Sequence, residues 1–97
     1  MNYELISLEK TPAQSFGIVL NGQECRISLY TRGGSLFFDL YKDNKPIYLG
    51  SICYDATDLT PHQYRGFTGH IYFIDTEGTK NPDYKQFDER FYLFYVY

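Results

Sequence analysis

The sequence predicts one all-β domain over residues 1–97, a small antiparallel β-barrel or β-sandwich of about seven strands linked by hairpins. Three observations carry that prediction. Apolar residues alternate or run together in short segments, and no stretch keeps the period of a long amphipathic helix. Turn signals recur roughly every 8–12 residues over most of the chain, the spacing of antiparallel sandwiches and barrels. The 97 residues suffice for one domain and not for two, and a hydrophobic fraction of 43% is ordinary for a globular chain.

The elements run in order along the chain. YELISL (3–8) is the first expected strand, and KTPAQ breaks it because Pro12 cannot donate to a ladder. SFGIVL (15–20) and ECRISLYT (24–31) flank Asn21-Gly22, the strongest hairpin signal in the chain, since both residues accept positive φ. Cys25, Ile27 and Leu29 fall on one face of the second of these strands. Gly33-Gly34 supplies the next turn, and LFFDLYK (36–42) sets Leu36, Phe38 and Leu40 opposite Phe37, Asp39 and Tyr41. DNKP turns again into IYLGSICY (47–54). Ile47, Leu49, Ser51 and Cys53 are expected to face inward there, with Cys53 beside Cys25 as buried thiols. DATDLTPHQYRG (55–66) reads as a polar connection pinned by Leu59, ahead of strands at 67–75 and 91–97.

Composition narrows the function. Aromatic residues make up 20% of the chain, as 11 Tyr and 8 Phe with no Trp. That is more ring area than a small interior holds, so some rings should lie on the surface, where Tyr suits contact with a partner. A net charge of −3 argues against nucleic-acid binding and against a polybasic membrane surface. The N-terminus shows no export signal and no segment approaches a membrane span, so a cytoplasmic origin is expected.

Candidate chemistry is sparse. DTEGTKNPDYKQFDER (75–90) holds five acids, Asp75, Glu77, Asp83, Asp88 and Glu89. Counted from Asp75 as a calcium loop, position six is Lys80 and position twelve is Gln86, which excludes the EF-hand pattern. Solvated acids on a surface connection, offset by Lys80, Lys85 and Arg90, are the better reading. Cys53 with His62 or His70 and Asp55 could be drawn as a nucleophile triad, but an alternating apolar strand argues for an inert thiol. Cys25, Cys53, His62 and His70 lack zinc-ligand spacing. No catalytic residue, metal or cofactor is assigned. Tyr54, Tyr64 and Tyr72 remain the alternative, an aromatic platform for a sugar or other ligand.

Two segments, IYFI and FYLFYVY, are apolar on both faces. Such strands are covered on both sides, one side by something outside the domain, and an apolar last strand suggests docking against a neighbour or a central place in the sheet. We take Tyr92, Phe94 and Val96 as the partner-facing set, opposite Phe91, Leu93 and Tyr95, although either face could be inward. Tyr84 and Phe87 join this partner-facing set, expected to be pinned against this chain or a neighbour.

The order of landmarks resembles the baseplate plug proteins of contractile-tailed bacteriophages and prophages. The resemblance rests on FGIVLNGQECRISL (16–29), GSLFFDLYKDNKPIYLG (34–50), DLTPHQYRGFTGHIYFIDTEGTKNPDY (58–84) and RFYLFYVY (90–97). One departure is KQFDERF, where the family pattern leads one to expect a Gly near Asp88. The resemblance implies a non-enzymatic structural subunit of the virion tail baseplate, assembled in the host cytoplasm. It implies a plug at the central channel, with hub, tube and spike proteins and copies of itself as partners.

Overall fold

The structure is a computed structural model and describes residues 2–61 and 66–97. Among these residues seven strands form: β1 (Tyr3–Ile6), β2 (Ala13–Leu20), β3 (Gln23–Arg32), β4 (Ser35–Lys42), β5 (Lys45–Ile52), β6 (His70–Asp75) and β7 (Phe91–Val96). A 3₁₀ turn, Tyr84–Gln86, interrupts the connection between β6 and β7. The strands make two antiparallel sheets, β2-β3-β4-β5 and β1-β7-β6, and neither closes into a barrel. One core lies between them, drawing buried residues from both.

Local chemistry sets the larger sheet. Each of its hairpins turns on two residues in the left-handed region: Asn21 (φ 50°) and Gly22 (75°), Gly33 (57°) and Gly34 (80°), Asp43 (51°) and Asn44 (64°). Two consecutive positive φ values match the right-handed twist of the strands they join. Register holds without slippage from Ala13↔Tyr30 to Leu20↔Gln23 and from Cys25↔Lys42 to Arg32↔Ser35.

Alternation then fills the core. Cys25, Ile27 and Leu29 of β3 and Leu36, Phe38 and Leu40 of β4 are buried, as are Ile71 and Phe73 of β6. On β7 the inward set is Phe91, Leu93 and Tyr95, each at most 2% exposed.

β5 departs from the expected facing. Tyr48 is buried and Leu49 is 59% exposed, the reverse of simple alternation from Ile47 to Cys53. Two register shifts against β4 account for it, one on each side of the Leu40↔Tyr48 pair. Every extra residue in a bulge flips the facing of the strand beyond it. The second bulge is held from across the sheet. The Asp39 carboxylate accepts the Gly50 N–H at 2.7 Å and the Tyr30 hydroxyl at 3.0 Å, and Gly50 takes φ 66°. Nor do the two thiols adjoin. Cys25 pairs with Lys42 at one end of β4, while the Cys53 N–H bonds the Leu36 carbonyl near the other.

The sheets are joined at one corner by Gln23, Thr68 and Tyr95. Gln23 accepts the Thr68 N–H (2.9 Å) and donates to the Thr68 carbonyl (3.0 Å) and the Tyr95 hydroxyl oxygen (3.1 Å). The Tyr95 hydroxyl itself donates to the Thr68 carbonyl at 2.5 Å. Burial is the main cause that raises the Tyr95 phenol above its ordinary pKa. Gly69 (φ 104°) lies against this ring; a Cβ there would sit 2.4 Å from Cε1.

Candidate interaction surface

Alternation along the smaller sheet sends every second residue outward, and in this sheet those residues are apolar or aromatic. Registers align them in rows across the face. Tyr3, Val96 and His70 form one row; Leu5, Phe94 and Tyr72 form the next; Tyr92 and Ile74 form the third. Tyr3 and Leu5 are 67% and 56% exposed, and the others are partly open. The Tyr3 and Phe94 rings meet at 5.9 Å in a tilted arrangement. His70 closes one border through a 2.6 Å contact between Nδ1 and the Asp58 carboxylate, with the Tyr72 ring 6.3 Å away. Partial burial, then the nearby Asp58 charge, raise the Tyr72 phenol. Tyr92, Phe94 and Val96 thus lie on the open side of β7, opposite its buried set. Tyr3 and Leu5 were not among the residues expected to face a partner. Their signal was present in the alternation of YELI, where Tyr3 and Leu5 face away from the buried Ile6.

The acidic connection between β6 and β7 is a strap built on Asp75. The Asp75 side chain has no exposed surface, so its reading as a solvated acid is corrected. Arg90 donates to it twice, Nε to Oδ1 at 2.7 Å and Nη2 to Oδ2 at 2.8 Å. The Glu77 and Lys80 N–H groups donate to the same carboxylate at 2.9 and 2.8 Å. Arg90 does most to hold the carboxyl well below the usual carboxylate range; burial opposes this, and the two N–H groups add to it. Gly78 leaves room for the pair, since a Cβ there would approach Arg90 Nη2 to 3.4 Å.

The other acids have separate duties. Asp83 caps the 3₁₀ turn by accepting the Lys85 N–H at 3.0 Å. Glu89 pairs with Lys10. Asp88 accepts the Leu8 N–H at 2.9 Å, tying the strap to the segment after β1. It also takes φ 59°, the conformation that a Gly would adopt most readily. The Gly expected near this position is therefore replaced by an Asp that keeps the left-handed backbone and adds a bond.

Phe87 is fully buried and stacks on Phe73 at 5.6 Å, so it offers nothing to a neighbour and is withdrawn from the partner-facing set. Tyr84 is half-buried against the core, with Lys85 Nζ 6.0 Å from its ring centre. It borders a cavity of about 360 Å³ with Leu36, Cys53, Tyr54 and Asn81.

The remaining candidate chemistry does not assemble among the described residues. His70 contacts Asp58, while Asp55 Oδ1 accepts the Asp75 N–H at 2.8 Å. Burial pushes the Cys53 thiol up to about 12, away from a nucleophile. No group of three or more His, Cys, Asp or Glu is placed to hold a metal ion among these residues. Tyr54 is 45% exposed and Tyr72 lies within the aromatic rows. Tyr64 of the alternative platform and His62 of the triad lie outside the described residues.

An all-β domain of two open sheets, with an aromatic face on the smaller, is thus the frame on which the family comparison falls. The chain matches the family model described as cyanophage baseplate Pam3 plug gp18 over residues 3–97. It belongs to this family of phage baseplate plugs. No curated protein matches the chain.

Proposed function

We propose that the chain is a structural subunit of a phage tail baseplate, acting as a plug at the central channel near the hub and tail tube. The family match over residues 3–97 carries the baseplate role. The aromatic rows on β1, β7 and β6 support the mode of action. Tyr92, Phe94 and Val96, flanked by Tyr3, Leu5, Tyr72 and Ile74, meet neighbouring baseplate proteins, and burial of apolar area drives the contact. Tyr and Phe are among the residues enriched at such interfaces. Tyr84 contributes from the rim of the strap. The subunit works by binding, without catalysis or cofactor, and resides in the virion after assembly in the host cytoplasm.

Tyr92→Lys combined with Phe94→Lys tests this reading. Both side chains point away from the core, so the domain should keep its circular dichroism and unfolding midpoint while the variant fails to enter tails. Infectious particles at wild-type titre, containing the variant, would refute it.

A further inference from the structure

Four strands stand at sheet edges, and three of them are guarded. β5 carries two bulges together with Lys45, Pro46 and Gly50. β6 is covered by the segment after β5: the Ala56 N–H bonds the Phe73 carbonyl and the Leu59 N–H bonds the Ile71 carbonyl, both at 2.8 Å. β1 is only four residues long. Charges, proline, bulges, brevity and coverage are the devices that keep edges from pairing with another chain.

Among the described residues β2 has none of these. Its eight residues, AQSFGIVL, contain no charge and no proline, and its register with β3 is unbroken. The phase of its hydrogen bonding is fixed at both ends. Thr31 N–H bonds the Pro12 carbonyl, and the two-residue turn at Asn21-Gly22 closes on the Leu20↔Gln23 pair. Antiparallel pairs alternate, so Gln14, Phe16, Ile18 and Leu20 bond β3, while Ala13, Ser15, Gly17 and Val19 direct their N–H and carbonyl groups outward. Those outward groups have no backbone partner among the described residues; Thr11 Oγ1 reaches only the Ala13 carbonyl, at 3.3 Å.

We infer that β2 pairs antiparallel with β2 of a second copy across a two-fold axis at Phe16, making one eight-stranded sheet from two four-stranded ones. Two features of the strand favour its own copy as occupant. Across a two-fold axis a strand meets itself, so any charge near the centre would face its like; β2 has none. The outward backbone groups also fit one another in a parity-preserving register. Ser15 meets Gly17 of the second copy, Ala13 meets Val19, and Phe16 meets Phe16 in a non-hydrogen-bonded pair. The facing is then conserved through the contact. Phe16 and Ile18 are core-facing yet incompletely covered, and they line an open groove of about 510 Å³ with Leu5, Leu8, Gln14 and Glu9, whose backbone the Gln14 side chain holds. The second copy covers that opening. The inference stands on the strand edge and does not depend on the baseplate role.

The full chain is tested as purified protein. Sedimentation equilibrium should show a concentration-dependent dimer. Ser15→Pro removes an outward N–H and leaves the backbone ladder of β2 and β3 in place, losing only the Ser28–Ser15 hydroxyl bond between them, and by symmetry two intermolecular bonds are lost. Each is worth a factor of about five, so the dimer dissociation constant should rise roughly twenty-five-fold. Phe16→Cys places two thiols across the axis with Cα atoms about 4.5–5.5 Å apart, within disulfide reach. Diamide should therefore crosslink Phe16→Cys readily. It should not crosslink Val19→Cys, although Val19 is 57% exposed, because its copy lies far along the strand. Cys25 and Cys53 are buried and contribute no background. A chain that stays monomeric to millimolar concentration, or equal crosslinking at both positions, overturns the pairing. So does a monomer whose Ser15→Pro variant is merely excluded from tails, which would assign the edge to a strand of another protein.

Discussion

Gly69→Ala should be among the most damaging small substitutions in this domain, although it adds one methyl group. At φ 104° the backbone is in a region L residues rarely adopt, which costs about 1–3 kcal/mol. The new Cβ would lie 2.4, 2.6 and 2.7 Å from Cε1, Oη and Cζ of Tyr95, where ordinary contacts begin at 3.4 Å. The ring must therefore retreat by about 1 Å, an overpacking that costs about 1–3 kcal/mol. It has little room to do so, being fully buried with Phe67 at 5.7 Å and Tyr97 at 5.1 Å. Retreat also pulls the hydroxyl from Thr68 and Gln23, a loss of about 1 kcal/mol. Together these come to roughly 3–7 kcal/mol, a large share of the roughly 5–15 kcal/mol that holds such a domain together. Urea unfolding followed by tyrosine fluorescence and circular dichroism should show the midpoint falling by about 2–5 M, for a slope near 1.5 kcal/mol/M. In a Tyr95→Leu background the clash is gone and only the backbone cost of about 1–3 kcal/mol should remain. A Gly69→Ala midpoint indistinguishable from wild type, or an equal loss in both backgrounds, would refute the reasoning.

Further expectations concern the strap and the thiols. Folding lowers the Asp75 pKa, so the unfolded chain binds the proton first; stability present above about pH 4 should decline as pH falls towards the folded value, and Asp75→Asn should flatten that decline in acid unfolding titrations. Asp88→Ala loses the bond to Leu8 and keeps a strained backbone, whereas Asp88→Gly loses only the bond; thermal unfolding should rank wild type above Gly and Gly above Ala, with Ala about 1–3 kcal/mol below wild type. Burial pushes the Cys25 thiol up to about 11 and the Cys53 thiol up to about 12, so both should resist iodoacetamide at pH 8 in the native protein and react after unfolding, as read by mass spectrometry.

The three hairpins were legible because Asn-Gly, Gly-Gly and Asp-Asn are the residue types that a left-handed pair selects. The facing of β3 and β4 was legible from alternation alone. β5 was not, because its second bulge depends on Asp39, a residue on the neighbouring strand, and alternation assumes an unbroken register. β7 divides cleanly into two sets, yet both are apolar, so sequence could not say which was inside. The Tyr95 hydroxyl, satisfied by Thr68 and Gln23, is what lets that ring lie in the core. The strap was the least readable part. Asp75 and Arg90 are far apart along the chain, and nothing in their spacing distinguishes a buried pair from two solvated charges. Phe87 looked like a contact residue for the same reason: whether an aromatic on a connection points in or out is decided by what it meets, here Phe73.

The position of β7 between β1 and β6 has a temporal meaning. Every join in the four-stranded sheet is a two-residue turn, so that sheet can form as soon as β5 has left the ribosome. The three-stranded sheet has no continuity until its middle member is synthesised, and that member comes last of the seven. The aromatic rows therefore do not exist as a surface on the growing chain. The rows are withheld until β7 has been made, which limits association through them while the earlier strands are being synthesised.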